Sequence, residues 1–495
     1  MKAASPSILL TTEGTYPHYG GGVSVWCDQL VRYLSNTPFH IFSVTHAPRL
    51  QAIFTFPENV RSIKQFALWG TEEPGDQPES YSEIYQRKLR VDADSMEDDF
   101  LPCFRILARA AFHGEACSSK LLAGAIMGLR RYFAAHDFKK SMSSPEAWHV
   151  FLEESARPGP GFESFTLQEA TKCLRWLLRY ASIITANFEK TDVVHASIAG
   201  LAGVPGVISK LEHGSKFLIT EHGIYLRELY VALGKMQENS NCLRFLLNWN
   251  RAIVRMNYHF ADSVTSLGEF NRKWQLRFGA PEEKIRIFPN GVESKRFYPD
   301  PSQLPERLTV ITLARIYALK GIDTLLKAAA IVVHHAPNTC FKIYGEIADP
   351  AYYENCLKIV REHRLENNVE FTVTKKPEDA FRAAHIFCLP SISEGLPYSV
   401  LEAMFSGCPV VASDVGVVAD ALAGTGLLVR PNDPEGLASQ LLYLLDGPEA
   451  AGRRAKLGAK GLARARECYQ ATVTTRKFED LYDELIECQP DFQTA

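Results

Sequence analysis

The sequence predicts an α/β protein of two doubly wound, parallel-sheet domains, with a helical insertion in the first. Three observations lead there. The chain has 495 residues, too many for one hydrophobic core. Short apolar runs alternate with helical periodicities once near the N-terminus and again, more regularly, after residue 300. Between the early runs lies a long stretch, about residues 70–190, with helical periodicity and no strand signal.

The first domain is read over residues 1–292. It opens with a strand (residues 7–12), a glycine turn at Gly20-Gly21-Gly22 and a helix (23–34), an order typical of Rossmann-like layers in which glycines let the backbone approach a ligand. No Gly-x-Gly-x-x-Gly or Walker lysine is present, which argues against a dinucleotide or P-loop site. The insertion contains the acidic run from Asp92 to Asp99 and a helix over 166–180. Asp92 and Asp94 have the spacing of a metal-binding pair. With no apolar strand leading into them, they read as solvated surface, and no metal is expected. The sheet resumes at 191–196 and at 217–220, where His222 follows the strand and is expected to leave the sheet edge; His195 lies inside the earlier strand. Tyr225, Arg227 and Glu228 are read as loop residues beyond His222, the last two equally suited to a surface ion pair. A last strand and helix (261–288) lead to the turn Pro289-Asn290-Gly291.

The second domain, read over 293–460, shows strands at 308–313, 341–344, 369–373, 386–389, 410–412 and 427–429. Arg315 and Lys320 follow the first of these, where open α/β sheets bind ligands; a guanidinium fork and an ammonium there suit phosphate oxygens. Downstream, Glu394 stands in a loop and Glu402 in the helix that starts at Pro397 and closes before Gly407 and Pro409. The backbone N–H groups of Gly395 and Leu396 precede that helix, where orphan donors favour anionic or polyol oxygens. A capping Glu394 and a solvated Glu402 would account for the same two residues.

Net charge of −3 gives no electrostatic case for nucleic-acid binding. Eleven cysteines occur without a Cys-x-x-Cys, as expected of reduced thiols rather than a disulfide framework or zinc site. The first residues lack a signal-peptide core, and no run reaches the roughly 18–20 apolar residues of a membrane span. A cytoplasmic location follows as the expectation.

Arg315, Lys320-Gly321, Glu394 eight positions before Glu402, and the segment Gly407 to Asp414 resemble the retaining glycosyltransferases of family 4, which have the GT-B fold of two Rossmann-like domains facing each other across a cleft. The N-terminal segments Ile8 to Pro17, Gly20 to Trp26 and Thr220 to Glu228 are similar to the PelF-type enzymes of Pel exopolysaccharide biosynthesis. The resemblance implies metal-independent transfer of a hexosyl or N-acetylhexosaminyl unit from a UDP-sugar to a growing polysaccharide, with no cofactor. It implies catalytic roles for Arg315, Lys320, Glu394 and His222. Substrate-binding roles fall to Glu402 (ribose), Gly395, Leu396, Ser399, Val373 (beside the base), Gly21 and Gly22. Implied partners are the UDP-sugar, the polysaccharide acceptor and proteins of an inner-membrane synthase complex, through which the chain would meet the membrane. The final helices, 461–495, would cross back to the first domain. Ala314 and Asp420 depart from the family pattern, where Gly and Glu are commoner, and no Gly follows the 369–373 strand. Two other readings fit the same residues: a GT-B nucleotide-sugar epimerase or hydrolase, and a donor-binding subunit without turnover.

Overall fold

Each apolar run becomes a strand of one of two parallel sheets. The computed structural model describes residues 5–74 and 80–487; the first four residues, 75–79 of the expected insertion and 488–495 of the expected final helices lie outside the described residues. The chain divides into two compact units. One takes the chain up to Ser266, Arg272–Ile287 and the chain from Phe478 onward; the other takes Leu267–Asn271 and Phe288–Lys477.

The first unit holds seven strands: β1 (Ile8–Glu13), β2 (Phe39–Thr45), β3 (Val60–Ala67), β4 (Val193–Ala196), β5 (Lys216–Glu221), β6 (Ser263–Ser266) and β7 (Ile285–Ile287). Their order is β3-β2-β1-β4-β5-β6-β7, and every pairing is parallel. The order reverses between β1 and β4, so the loops after these two strands flank a topological switch point. The Gly22–Tyr33 helix follows β1, with Gly21 at its N-cap. Between β3 and β4 the insertion supplies helices including Leu101–His113, Ser119–Ala135, Pro145–Ser155 and Leu167–Ala181. They pack with the long Ser240–Phe260 helix around an aromatic centre: Phe112 lies 5.2 Å from both Phe151 and Phe245, centroid to centroid. Thr166 and Glu169 form a capping box that starts the Leu167–Ala181 helix.

Six strands make the second unit: β8 (Thr309–Leu313), β9 (Cys340–Tyr344), β10 (Val369–Thr372), β11 (Ile386–Leu389), β12 (Val410–Ser413) and β13 (Leu427–Val429). The order β10-β9-β8-β11-β12-β13 is again all parallel, with its switch point between β8 and β11. Along β8, β11 and β12 successive residues enter two different cores: Val310, Ile386, Cys388 and Val411 join one, while Ile311, Phe387, Leu389, Val410 and Ala412 join the other. A sheet buried on both faces explains why these strands read as unbroken apolar runs.

Two local expectations change. Tyr225, Arg227 and Glu228 lie on a helix, Tyr225–Leu233, rather than in a loop. The Glu221 carboxylate accepts the Tyr225 N–H at 3.2 Å and so serves the helix start from four residues upstream. Pro397 caps the Tyr398–Phe405 helix with an extended backbone and does not occupy its first position.

Candidate functional site

In the second unit, three loops at the carboxyl ends of strands are tied together around the switch point. The β8 loop continues the ladder with β9, through Ala314 N–H to Tyr344 carbonyl (3.0 Å) and Ile316 N–H to Glu346 carbonyl (2.8 Å). It then turns at Gly321, which has φ of +61° and would drive a Cβ to 2.1 Å from the Pro390 carbonyl oxygen. Ile392 N–H donates to the Leu319 carbonyl at 2.8 Å, joining the β8 and β11 loops. The β12 loop closes on them where Gly416, φ +58°, would put a Cβ 2.0 Å from the Glu394 carbonyl oxygen. Val417 N–H donates to the Gly395 carbonyl at 3.0 Å, and Asn290 Nδ2 to the Leu396 carbonyl at 3.1 Å. Ordinary residues at these two glycines would pry the loops apart.

This frame brings Lys320 and Glu394 into direct contact: Lys320 Nζ lies 2.6 Å from Glu394 Oε1, with side chains 17% and 9% exposed. Arg315 is exposed, its guanidinium 5.5 Å from the Tyr317 ring centroid, and Lys320 Nζ is 5.9 Å from the same ring. Tyr317 thus carries both cations along one edge of the loop. Glu402 is on the second turn of the Tyr398–Phe405 helix, half-buried, and burial raises its carboxyl to about 7 despite the nearby Arg296 guanidinium. Ser399 is buried in the same helix and Leu396 sits in the core, which leaves its backbone as the part able to meet a ligand. Val373 stands apart: β10 ends at Thr372 on the sheet edge, and Val373 beyond it is 66% exposed.

Gly21, Gly22 and His222 belong to the first unit. His222 follows β5 as read but is only 7% exposed, its ring 4.6 Å from that of Trp26 and tilted by 63°. His195 is fully buried, with Nε2 2.6 Å from Thr220 Oγ1 and Nδ1 2.7 Å from the Tyr482 hydroxyl. Burial holds it neutral, its pKa lowered to about 3. That is a structural histidine. Asp92 caps a helical turn through the Ser95 N–H, and among the described residues no group of His, Cys, Asp and Glu is arranged to hold a metal ion.

Two carboxylates of the first unit escaped the sequence reading. Glu13 ends β1 at the switch point, where its Oε2 accepts the Ala202 N–H at 3.3 Å and burial raises its pKa. Glu221 ends β5, is fully buried, accepts bonds from the Tyr258 hydroxyl and Gln275 Nε2, and is raised to about 7 by the same cause. Each closes an apolar run and lies in a segment that carries the N-terminal resemblance, Ile8 to Pro17 or Thr220 to Glu228.

Residues 6–283, more than half of the chain, match the family described as Domain of unknown function (DUF3492). The chain belongs to this family. In this DUF3492 chain, residues 307–447 match a second family, Glycosyl transferases group 1, so the β8 to β13 unit carries a group 1 glycosyl transferase domain. A D-inositol 3-phosphate glycosyltransferase from Segniliparus rotundus is 30% identical over 289 residues, covering 55% of this chain and 62% of that protein. The DUF3492 chain spans about half the length of the curated relatives it matches, 48% for the Nocardia farcinica protein of the same description. Among solved structures, sucrose-phosphate synthase from Thermosynechococcus elongatus superposes with a TM-score of 0.61 at 18% identity, covering 98% of this chain and all of that one. HepE from Anabaena in complex with UDP-glucose gives 0.59 at 13% identity, covering 97% and 100%. These likenesses bear on the fold, and the GT-B expectation holds. Of the described residues, no helix is long and apolar enough to cross a membrane.

Proposed function

We propose that the chain is a glycosyltransferase that moves a hexosyl or N-acetylhexosaminyl unit from a UDP-sugar to a growing exopolysaccharide of the Pel type, with retention at the anomeric carbon and without a metal ion. The observation that carries this reading is the Lys320–Glu394 pair at the β8/β11 switch point, with Arg315 beside it. An ammonium has three donors and a carboxylate about four acceptor positions. Paired at one oxygen, Lys320 keeps donors for a diphosphate, and Glu394 keeps acceptor positions for sugar hydroxyls. Each partner orients the other before a donor arrives.

As the glycosidic bond to the nucleotide lengthens, negative charge grows on the diphosphate, and Arg315 and Lys320 stabilise it where it develops. Glu402 accepts hydrogen bonds from the ribose hydroxyls, and Val373 borders the base. His222, Gly21 and Gly22 are the first unit's contribution, toward the transferred sugar and the acceptor. A UDP donor is supported by the UDP-glucose complex of HepE, which shares the fold; the polysaccharide acceptor, and partners at an inner-membrane synthase, rest on the resemblance of the N-terminal segments.

The test has two stages. Melting temperature is followed with UDP, ADP and GDP, and a UDP-specific rise is expected because a ligand held only by the folded chain stabilises it. UDP release is then followed from UDP-hexoses and UDP-N-acetylhexosamines, with and without a glycan acceptor, and the anomeric configuration of the product is read by NMR. Release without an acceptor would identify a hydrolase, conversion to an isomeric UDP-sugar without release an epimerase, and binding with neither a donor-binding subunit.

A further inference from the structure

The helical insertion carries a cavity that the transfer reading leaves unused. On the Leu167–Ala181 helix, Lys172, Arg175, Trp176 and Arg179 recur at i, i+3, i+4 and i+7, which sets three cations and an indole on one face. With the segment after β3, including Trp69, they line a cavity of about 460 Å³, within the range of small-molecule sites. Trp69 is 37% exposed, large for an indole in a concave wall.

The charges of this wall are unevenly compensated. Lys172 is held by Glu238 at 2.6 Å, and Lys139, also in the lining, has looser contacts with Glu72 and Glu73 at 3.9 and 3.7 Å. Among the described residues Arg175 and Arg179 make no ion pair; the Arg179 guanidinium lies 5.6 Å from the Trp69 ring centroid, and Lys172 Nζ 5.4 Å from that of Trp176. A second hollow of about 420 Å³ shares Pro74 and Phe138 with the first; its lining balances Arg87, Arg130 and Arg131 against Glu73, Asp137 and Glu212, with Arg130 paired to Glu212 at 2.6 Å, so the excess of cations belongs to the first hollow. The groove therefore extends beyond the span of one ring.

We propose that this groove binds an anionic glycan, a chain whose sugar units carry carboxylate or phosphate groups. Indole faces stack against the C–H faces of sugar rings, and guanidinium forks pair with carboxylate or phosphate oxygens. Neither function needs the β8/β11 site, so the groove is a binding site in its own right, and its test does not depend on transfer.

The experiment titrates the full chain by calorimetry with a tetragalacturonate, a phosphorylated mannose tetrasaccharide and neutral maltotetraose. At least one acidic chain should bind at least tenfold more tightly than the neutral one, and added salt should weaken it. The Arg175→Ala/Arg179→Ala variant should lose that binding at least tenfold, and Trp69→Ala should weaken it, while both keep the wild-type melting temperature and affinity for UDP. Equal binding of acidic and neutral chains, acidic binding that survives the double substitution, or no acidic binding would overturn the proposal. So would capture by phosphatidylglycerol vesicles in place of the soluble chains, which would make the groove a lipid contact. Failure of the wild type to bind UDP would instead count against the glycosyltransferase reading alone.

Discussion

At the scale of single residues, the Lys320–Glu394 contact makes charge removal a double event. Lys320→Ala should lower turnover by about a hundredfold, the range of a single electrostatic donor. It should also lower the melting temperature, because Glu394 is left mostly buried without its partner. Adding Glu394→Gln should restore the melting temperature and leave turnover low; steady-state kinetics beside thermal melts separate the two effects. Exposed Arg315 should show the kinetic loss on Arg315→Ala with no change in melting. Glu402 makes the pH prediction. Its folded pKa of about 7 stands above the ordinary 4.5, so the unliganded protein loses stability as pH rises from about 4.5 to about 7. Glu402→Gln should recover ~1–2 kcal/mol at pH 8 and little at pH 5, discounting for partial exposure. Ribose hydroxyls favour the ionised carboxylate, so affinity for UDP-glucose, whose diphosphate does not titrate there, should climb with pH up to about 7 in the wild type and stay level in the variant. Calorimetry at pH 5.5, 6.5 and 7.5 checks this, and a level wild-type profile would remove the ribose contact.

Among elements, the site is a matter of three loops whose spacing two glycines permit. Gly416→Ala combines a disfavoured φ of +58° with a Cβ 2.0 Å from the Glu394 carbonyl oxygen. The β11 loop has to shift, so affinity for UDP-glucose is expected to fall at least tenfold, with ~1–3 kcal/mol of stability lost in chemical denaturation. Wild-type affinity in that variant would show that the loop position does not matter. Strands of the second unit were legible because a sheet buried on both faces demands continuous apolar runs; fully buried β11 falls where the pattern puts it, as does the short edge strand β13. The Tyr225–Leu233 helix was not, because Ile224 at its N-cap offers no capping side chain and the donor is met by Glu221 instead.

On the scale of the whole molecule, the last helix, Ala471–Glu487, passes from the second unit to the first, and Phe478 and Tyr482 are buried in the first, against Trp26 and His195. Tyr482→Phe removes the 2.7 Å hydrogen bond to His195 Nδ1 and should cost ~1–2 kcal/mol of the first unit's stability, read by urea denaturation. Because His195 ordinarily titrates near 6.5 and in the fold only near 3, the unfolded chain takes up the proton first, and stability should fall as pH drops below about 6.5. The sequence by itself determined the two parallel-sheet layers apart from β2 and β3, the helical insertion over about residues 70–190 and the positions of Arg315, Lys320, Glu394 and Glu402, because periodicity, turn residues and local spacing are properties of the chain. Only the tertiary structure decided that Lys320 and Glu394 meet, that Glu402 and Glu221 are driven toward neutrality, that His195 is locked between Thr220 and Tyr482, and that the insertion encloses a basic, indole-lined groove. Those depend on which distant residues exclude water from a group, and burial is set by packing between segments tens to hundreds of positions apart.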